Sequence, residues 1–194
     1  MSKSDSAASK KERFKAIRWV VIIFVTTIFV SGLISFASNE LLSVSTMAVA
    51  FVVLFVIILI GILFDIVGVA VTSADEKPFH SMAARKVPGA QESIRLLRNA
   101  EKVSSICNDV IGDVCGVVSG SASASIAAKI IAGFSGSWDE IIMLAMSALV
   151  AGLTVGGKAI GKSFAINSCV QIVSSVGRVL LFFGKIFSPR KKNK

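Results

Sequence analysis

Charged residues are scarce in this chain. Asp, Glu, Lys and Arg make up 17% of its 194 residues, against about 25% in an average soluble domain, while 54% of the residues are hydrophobic and the mean hydropathy is +0.77. This balance excludes an ordinary soluble domain and predicts an all-α integral membrane protein in contact with the lipid bilayer. The 21 basic and 12 acidic residues would suggest nucleic acid as a partner of a soluble chain. Here the bases flank apolar segments, which indicates contact with anionic lipid and no nucleic acid.

Residues for common catalytic sites are also few. His80 is the single histidine, so the sequence does not predict a Ser-His-Asp arrangement or a histidine-based zinc site. The three cysteines show no C-x-x-C spacing and are interpreted as apolar packing residues. The G-K-S sequence at 161–163 follows an apolar segment rather than a strand, so a phosphate-binding loop is not indicated. We therefore expect that the protein is not an enzyme.

Four apolar segments have lengths suited to crossing a bilayer, which takes about 20 residues in a helix. They cover residues 19–37, 44–71, 103–134 and 141–155, and the last can be extended by flanking Leu and Gly. The sequence thus predicts four transmembrane helices with cytoplasmic juxtamembrane amphipathic helices.

The third segment differs from the others because it combines polar residues with many small ones. Gly116, Gly120 and Ala124 recur at four-residue spacing, which places them on one side of a helix where another backbone can approach closely. We expect this face to form a homodimer or to bind a membrane-protein partner. Packing within the chain could use the same face.

The distribution of Lys and Arg predicts the topology, because short basic loops stay in the cytoplasm. Basic residues are concentrated before the first span, between the second and third spans, and after the fourth. The other two connections contain no Lys or Arg, and their charged residues are Glu40, Asp139 and Glu140. We therefore expect both termini in the cytoplasm and the protein in a plasma membrane of the bacterial type. A cleaved signal sequence at 19–36 stays an alternative for the first span.

The predicted order of segments follows from these assignments. It comprises a disordered basic tail at 1–16, an extra transmembrane helix at 17–38, a three-span module at 44–166, an interfacial helix at 167–188 and a basic tail at 189–194. A fifth span at 170–187 would bury Arg178 and place the basic tail outside, so we expect an amphipathic helix in the cytoplasmic interface there.

Acidic residues within the spans indicate the function. Asp65 lies near the end of the second span, and an acidic cluster opens the third. An ionised carboxylate at the bilayer centre costs at least about 2.5 kcal/mol, so such acids usually face a bundle interior or an ion path. Mg²⁺ prefers oxygen ligands. The expected metal ligands all offer oxygen; they are the carboxylates of Asp65, Asp109 and Asp113 and the neutral side chains of Asn108, Ser104 and Ser105.

Other interpretations of these acids stay open. The carboxylates could pair with Lys129, Lys158 or Lys162, or could lie at the cytoplasmic interface, where charge costs little. The chain would then be a structural or regulatory membrane protein that does not transport. An intramembrane enzyme is a third hypothesis.

Four short motifs follow one another in a recognisable order. They are LFDIVGVAVTSAD at 63–75, VPGA at 87–90, LLRNAEK at 96–102 and GKAIGKSFA at 157–165. Their order resembles the transmembrane module (DUF21) of the CNNM/CorC (CorB) magnesium-transport family. In that family F-F-S-G-S-E-T-A-L-T-S ends the first helix, L-L-x-x-P-E-x and a polar G-N-N-type helix follow, and G-E-x-x-P-K-x-x-A comes after the last helix.

The resemblance covers about residues 44–188 and implies a three-span module that transports or binds Mg²⁺. It departs from the family at the acids: the two family glutamates fall at Gly68 and Lys158, the family proline falls at Gly161, and Asp65 replaces a serine. We also expect no CBS pair after residue 188, unlike in that family. These departures keep open the alternative of a membrane scaffold without the family's ion site.

Overall fold

The computed structural model describes residues 3–133 and 138–187, and the described residues form helices without any strand. This confirms the predicted all-α class. The elements are, in chain order, α1 (Lys3–Val44), α2 (Met47–Ser73), α3 (Lys77–Ala84), α4 (Ala90–Arg98), α5 (Ala100–Ser104), a π-helix (Ser105–Gly112), α6 (Asp113–Ala132), α7 (Asp139–Asn167) and α8 (Cys169–Phe187).

Four helical stretches in the described part are long and apolar enough to cross a membrane. They are Ile17–Ser38, Met47–Ser73, Ala100–Ala132 and Asp139–Asn167, in agreement with the four predicted spans. The third is composite, since it combines α5, the π-helix and α6. The chain is thus a membrane-embedded helical protein in contact with lipid. The apolar part of α8, Cys169–Gly184, is shorter than these four stretches.

The N-terminal helix is longer than the composition suggests. Whereas the sequence predicts a disordered tail at 1–16, α1 begins at Lys3. Ala and Lys are frequent in this segment, and both are strong helix formers, which accounts for the extension. The predicted basic tail at 189–194 lies outside the described residues.

Two apolar clusters hold the helices together at different levels of the bundle. The first joins α2, α6 and α7 through Ala50, Leu54, Ile58, Ala122, Ile126 and Val150. The second joins the C-terminal parts of α2 and α7 to α3, α4 and α8 through Ala70, Val71, Phe79, Leu97, Ala165 and Val173. Along α2 and α7, Asp65 and Lys158 lie between the two clusters.

Glycines allow α2 and α7 to pack closely at this intermediate level. A Cβ at Gly161 would lie 2.8 Å from Ile66 Cγ1, and one at Gly157 would overlap Ile62. Small residues permit such close approach of helices in a membrane. The isoleucines of α2 therefore pack directly on the backbone of α7, which sets the rotation of α7 about its axis and the direction in which Lys158 projects.

The amphipathic helix α8 is attached to α4 through a buried serine. Ser93 is fully buried, and its hydroxyl lies 3.0 Å from Gly89 O and 3.1 Å from Val173 O, the second being on α8. Gly177 lies against Ser93 and Gly89, so α8 and the start of α4 are in backbone contact. The interface of α4 and α8 is thus specific rather than a loose apolar contact.

Candidate functional site

Lys158 of α7 lies between two carboxylates from different helices. Its Nζ donates to Asp113 Oδ1 at 3.3 Å and lies 3.9 Å from Asp65 Oδ1. The two acids differ in environment, because the side chain of Asp65 is 6% exposed and that of Asp113 is 71% exposed. The ammonium thus connects a buried acid in the bundle interior to an exposed acid at the start of α6.

Asp65 lies where α2 faces the π-helix. Gly61 and Gly68, four residues before and three after Asp65, are buried on the same face of α2. A Cβ at Gly61 would lie 2.8 Å from Cys115 Cβ and 3.6 Å from Gly112 O, which shows how closely the two helices approach. Asp65 Oδ2 is buried and has no hydrogen-bond partner. An ionised carboxylate can accept about four hydrogen bonds, so this acid is strongly undersatisfied.

Asn108 presents a second unsatisfied oxygen to the same face of α2. Its Nδ2 donates to Ser104 Oγ at 3.2 Å, while its Oδ1 is buried without a hydrogen-bond partner. The side chain lies directly against Gly68, one helical turn from Asp65. Buried polar atoms without partners are rare in proteins, and each one calls for a physical explanation. Two of them therefore occur within one turn of α2.

The π-helix determines which polar side chains face α2. Its hydrogen bonds run from residue i to i+5, as in the bond from Asp113 N to Asn108 O, and such segments often occur at functional sites. Asn108 and Gly112 face α2, whereas Asp109 is exposed. Gly112 also lies beside Lys158, since a Cβ there would lie 3.5 Å from its Nζ.

The structure brings together some of the predicted ligands and not others. Lys158 pairs with Asp65 and Asp113, and Asn108 lies against Gly68, one turn along α2 from Asp65, whereas Asp109 is exposed and takes no part in the Lys158 pairing. Ser104 accepts a hydrogen bond from Asn108, and Ser105 is half-buried.

The lysines considered as partners of the acids occupy different places. Lys158 pairs with Asp65, which is one of the ion pairs that the alternative interpretation considers. Lys129 Nζ instead donates to Ser45 O at the opposite end of α6, and Lys162 is exposed. Sequence reasoning did not identify Gly61 and Gly112 as part of the site. The one available signal was the pair of glycines at 61 and 68, which flank Asp65 at helical spacing on α2.

The described residues do not form a cage of acidic ligands. Among residues 3–133 and 138–187, no group of three or more His, Cys, Asp or Glu side chains could hold a metal ion. A cation at this site would therefore be bound by one buried carboxylate, an amide oxygen and backbone or water oxygens.

Comparisons of the chain with family models, with curated proteins and with solved structures give no match. The function is therefore argued from the site itself. Its distinguishing features are a buried acid with one unpartnered oxygen, a neighbouring unpartnered amide oxygen, and a lysine from a third helix.

Proposed function

We propose that this protein binds a metal cation within the membrane and moves it across the bilayer, with Asp65 as the central ligand. The observation that supports the proposal best is Asp65 Oδ2, which is buried between membrane spans without a hydrogen-bond partner. An acid at membrane depth most often marks an ion or substrate path. The resemblance of the surrounding motifs to the CNNM/CorC transmembrane module supports the choice of a metal ion, with Mg²⁺ as the family's cargo.

The energetics of the Asp65–Lys158 pair support a functional explanation over a purely structural one. Burying two charges costs several kcal/mol per ion, and a buried pair often contributes no more stability than apolar residues of similar volume. The 3.9 Å separation is longer than a hydrogen bond, so Lys158 compensates the Asp65 charge only in part. A bound cation at Asp65 would supply the positive charge that Lys158 does not fully provide.

A second candidate function is supported by the same ion pair. Because Lys158 contacts both Asp65 and Asp113, the three side chains could simply fix the relative positions of α2, α6 and α7. The protein would then be a structural or regulatory membrane protein that does not transport ions. The two functions differ in whether any cation stabilises the protein through Asp65.

The topology that we propose places the site in the cytoplasmic half of the membrane. Basic segments flank the first, second and fourth spans on one side, which assigns both termini to the cytoplasm of a bacterial-type cell. Asp65 lies eight residues before the end of α2 at Ser73, or about 12 Å at 1.5 Å per residue. The amphipathic helices α3, α4 and α8 would then cover the cytoplasmic side of the site.

The partner that we propose is a second copy of the chain or another membrane protein. Cβ atoms added at Gly116 and Gly120 would meet no atom within 4 Å, and Ala124 is exposed. Within the part of the chain that the structure describes, no other side chain packs on Gly116 or Gly120, which leaves this small-residue face of α6 available for a second helix.

Cation-dependent unfolding of the purified protein tests the proposed function. Thermal unfolding in detergent and uptake into proteoliposomes would be measured with Na⁺, K⁺, Li⁺ and Mg²⁺ for the wild type, Asp65→Asn and the control Asp139→Asn. Asp139 is exposed at the start of α7, so its substitution removes an acid away from the site. We expect at least one cation to raise the unfolding temperature of the wild type and of Asp139→Asn, and to have no effect on Asp65→Asn. If none of the four cations stabilises the wild-type protein or is taken up into its proteoliposomes, the proposed function is wrong.

A further inference from the structure

Three charged groups meet at the site, and their formal charges do not cancel. The carboxylates of Asp65 and Asp113 contribute two negative charges and the ammonium of Lys158 one positive charge, which leaves one negative charge at a level of the bundle between two apolar clusters. We infer that the site binds a monovalent metal cation. The ammonium of Lys158 sets this preference because it already supplies one positive charge to the two carboxylates. The inference rests on the proposed function, since it names the class of ion bound at Asp65.

The position of the ammonium leaves part of Asp65 available. Lys158 Nζ is within hydrogen-bonding reach of Asp113 at 3.3 Å but lies 3.9 Å from Asp65, although Asp65 is the more buried of the two acids. An exposed carboxylate can be solvated by water, whereas a buried one depends on protein groups or ions. The acid with the greater need for a positive charge therefore has the weaker contact with Lys158.

Two oxygens near Lys158's buried partner Asp65, one of them its own Oδ2, have no hydrogen-bond partner. Asp65 Oδ2 and Asn108 Oδ1 are both buried without hydrogen-bond partners, and Asn108 lies against Gly68, one turn along α2 from Asp65. Carboxylate and amide oxygens are hard ligands suited to alkali and alkaline-earth ions. A cation placed there would contact Asp65 through one oxygen while Lys158 remains beside the other.

Charge balance decides between the two classes of hard cation. A monovalent ion brings the sum of the formal charges to zero with Lys158 still in place, whereas Mg²⁺ leaves an excess positive charge beside the ammonium. Like charges at short range repel strongly where the local dielectric is low. Mg²⁺ also needs near-octahedral coordination by about six oxygens, and no cluster of three acidic, His or Cys ligands occurs in the described parts of the chain. Both arguments favour the monovalent ion.

Removing the charge of Lys158 should therefore change the preferred ion. In Lys158→Gln the two carboxylates carry two uncompensated negative charges, and a divalent cation then balances them. Lys162, four residues later on α7, is exposed, so Lys162→Gln is a matched control that lowers the net charge of the protein equally without touching the site. Lys158→Arg preserves the charge and keeps the test informative should Lys158→Gln fail to fold.

The experiment measures ion affinity by isothermal titration and by thermal unfolding of the full chain in detergent, at constant ionic strength balanced with choline chloride. For the wild type, Lys158→Arg and Lys162→Gln we expect saturable binding of Na⁺, Li⁺ or K⁺, and Mg²⁺ binding at least about 10-fold weaker. For Lys158→Gln we expect the order of affinities to reverse.

The outcomes separate the inference from the proposed function. Tighter binding of Mg²⁺ than of any monovalent cation by the wild type, abolished by Asp65→Asn, would overturn the inference and leave the proposed function standing. An unchanged preference in folded Lys158→Gln would also overturn it, because the ammonium would then have no part in ion selection. Binding of neither class by the wild type would remove the proposed function itself.

Discussion

Gly68 on α2 lies so close to the side-chain amide of Asn108 that a Cβ at position 68 would overlap the amide oxygen. The amide thus fills the space that any larger side chain at 68 would need. Under the resemblance to the CNNM/CorC module, a family glutamate would fall at position 68. In this chain a polar group from the opposing π-helix occupies that space, so Gly68 and Asn108 form one structural unit.

Gly68→Ala should therefore destabilise the protein. Overpacking of a tight contact costs about 1–3 kcal/mol, because the added methyl group must displace the Asn108 amide or separate α2 from the π-helix. Gly116→Ala is the matched control, since open space surrounds Gly116 and Ala in a helix is favoured over Gly by about 0.5–1 kcal/mol. Unfolding in mixed detergent micelles measures both. Equal stability of the two variants would contradict the close contact.

Lys158→Met should cost more stability than Asp113→Asn when no binding cation is present. The first change leaves the buried Asp65 charge without its partner, and breaking a buried pair costs about 3 kcal/mol or more. The second removes a partner that is mostly exposed, and exposed pairs contribute at most about 1 kcal/mol. We expect the double variant Asp65→Asn with Lys158→Met to recover part of the loss. Additive effects in this double-mutant cycle would show that the two side chains do not interact.

Asn108→Ala should weaken cation binding, and Asp109→Ala should not. Asn108 Oδ1 faces α2 without a partner, whereas Asp109 is exposed, although the sequence predicts both as ligands. Loss of one oxygen ligand to a cation should lower the affinity by about 10-fold. Titration of the two variants with the cation that stabilises the wild type measures the difference. A larger effect at Asp109 would place the ion on the opposite side of the π-helix.

Cysteine labelling tests the proposed topology in intact cells. In a background without the native cysteines, Ser4→Cys and Asn193→Cys should be protected from a membrane-impermeant maleimide, because both termini are predicted in the cytoplasm. Trp138→Cys, exposed at the start of α7, should be labelled from outside and serves as the positive control. Labelling of either terminus from outside would reverse or change the assignment.

Gly120→Leu should alter the oligomeric state or the capture of a membrane partner. The substitution places a large side chain on the open small-residue face of α6, where close approach of a second helix requires small residues. Ala148→Leu adds a similar volume at an exposed position of α7 and should have no such effect. Cross-linking in membranes and light scattering in detergent measure both variants. An unchanged state in Gly120→Leu would show that this face is not an interface.

The four spans could be predicted from the sequence because lipid imposes a simple length and composition requirement on each helix. Asp65 could also be identified from the sequence, because burying a carboxylate within an apolar span costs free energy in any rotational orientation of the helix. The relation of Lys158 to Asp65 is different. It depends on the rotation of α7, which the contacts of Gly157 and Gly161 with α2 determine, and such tertiary contacts cannot be inferred from the periodicity of one helix.

The sequence pattern likewise could not show which of Asn108 and Asp109 faces α2. In a regular α-helix, residues four apart share a face, which made Asp109 and Asp113 a natural pair of ligands. The π-helix from Ser105 to Gly112 changes the angular relation between residues on either side of it. Whether a helix contains such a segment depends on its backbone hydrogen bonds, and the side-chain pattern does not reveal them.

The π-helix also affects how this chain should be aligned with other proteins. A segment bonded from i to i+5 contains one more residue per hydrogen-bonded turn than an α-helix, so it is structurally equivalent to a single-residue insertion. A relative with a continuous α-helix here would need a one-residue gap between residues 105 and 112, and ungapped motif comparison would assign Asn108 and Asp113 to incompatible registers. With that gap, the residues on both sides of the π-helix stay in register, so Asp113 can be compared directly with the residue at the start of the following helix in an α-helical relative.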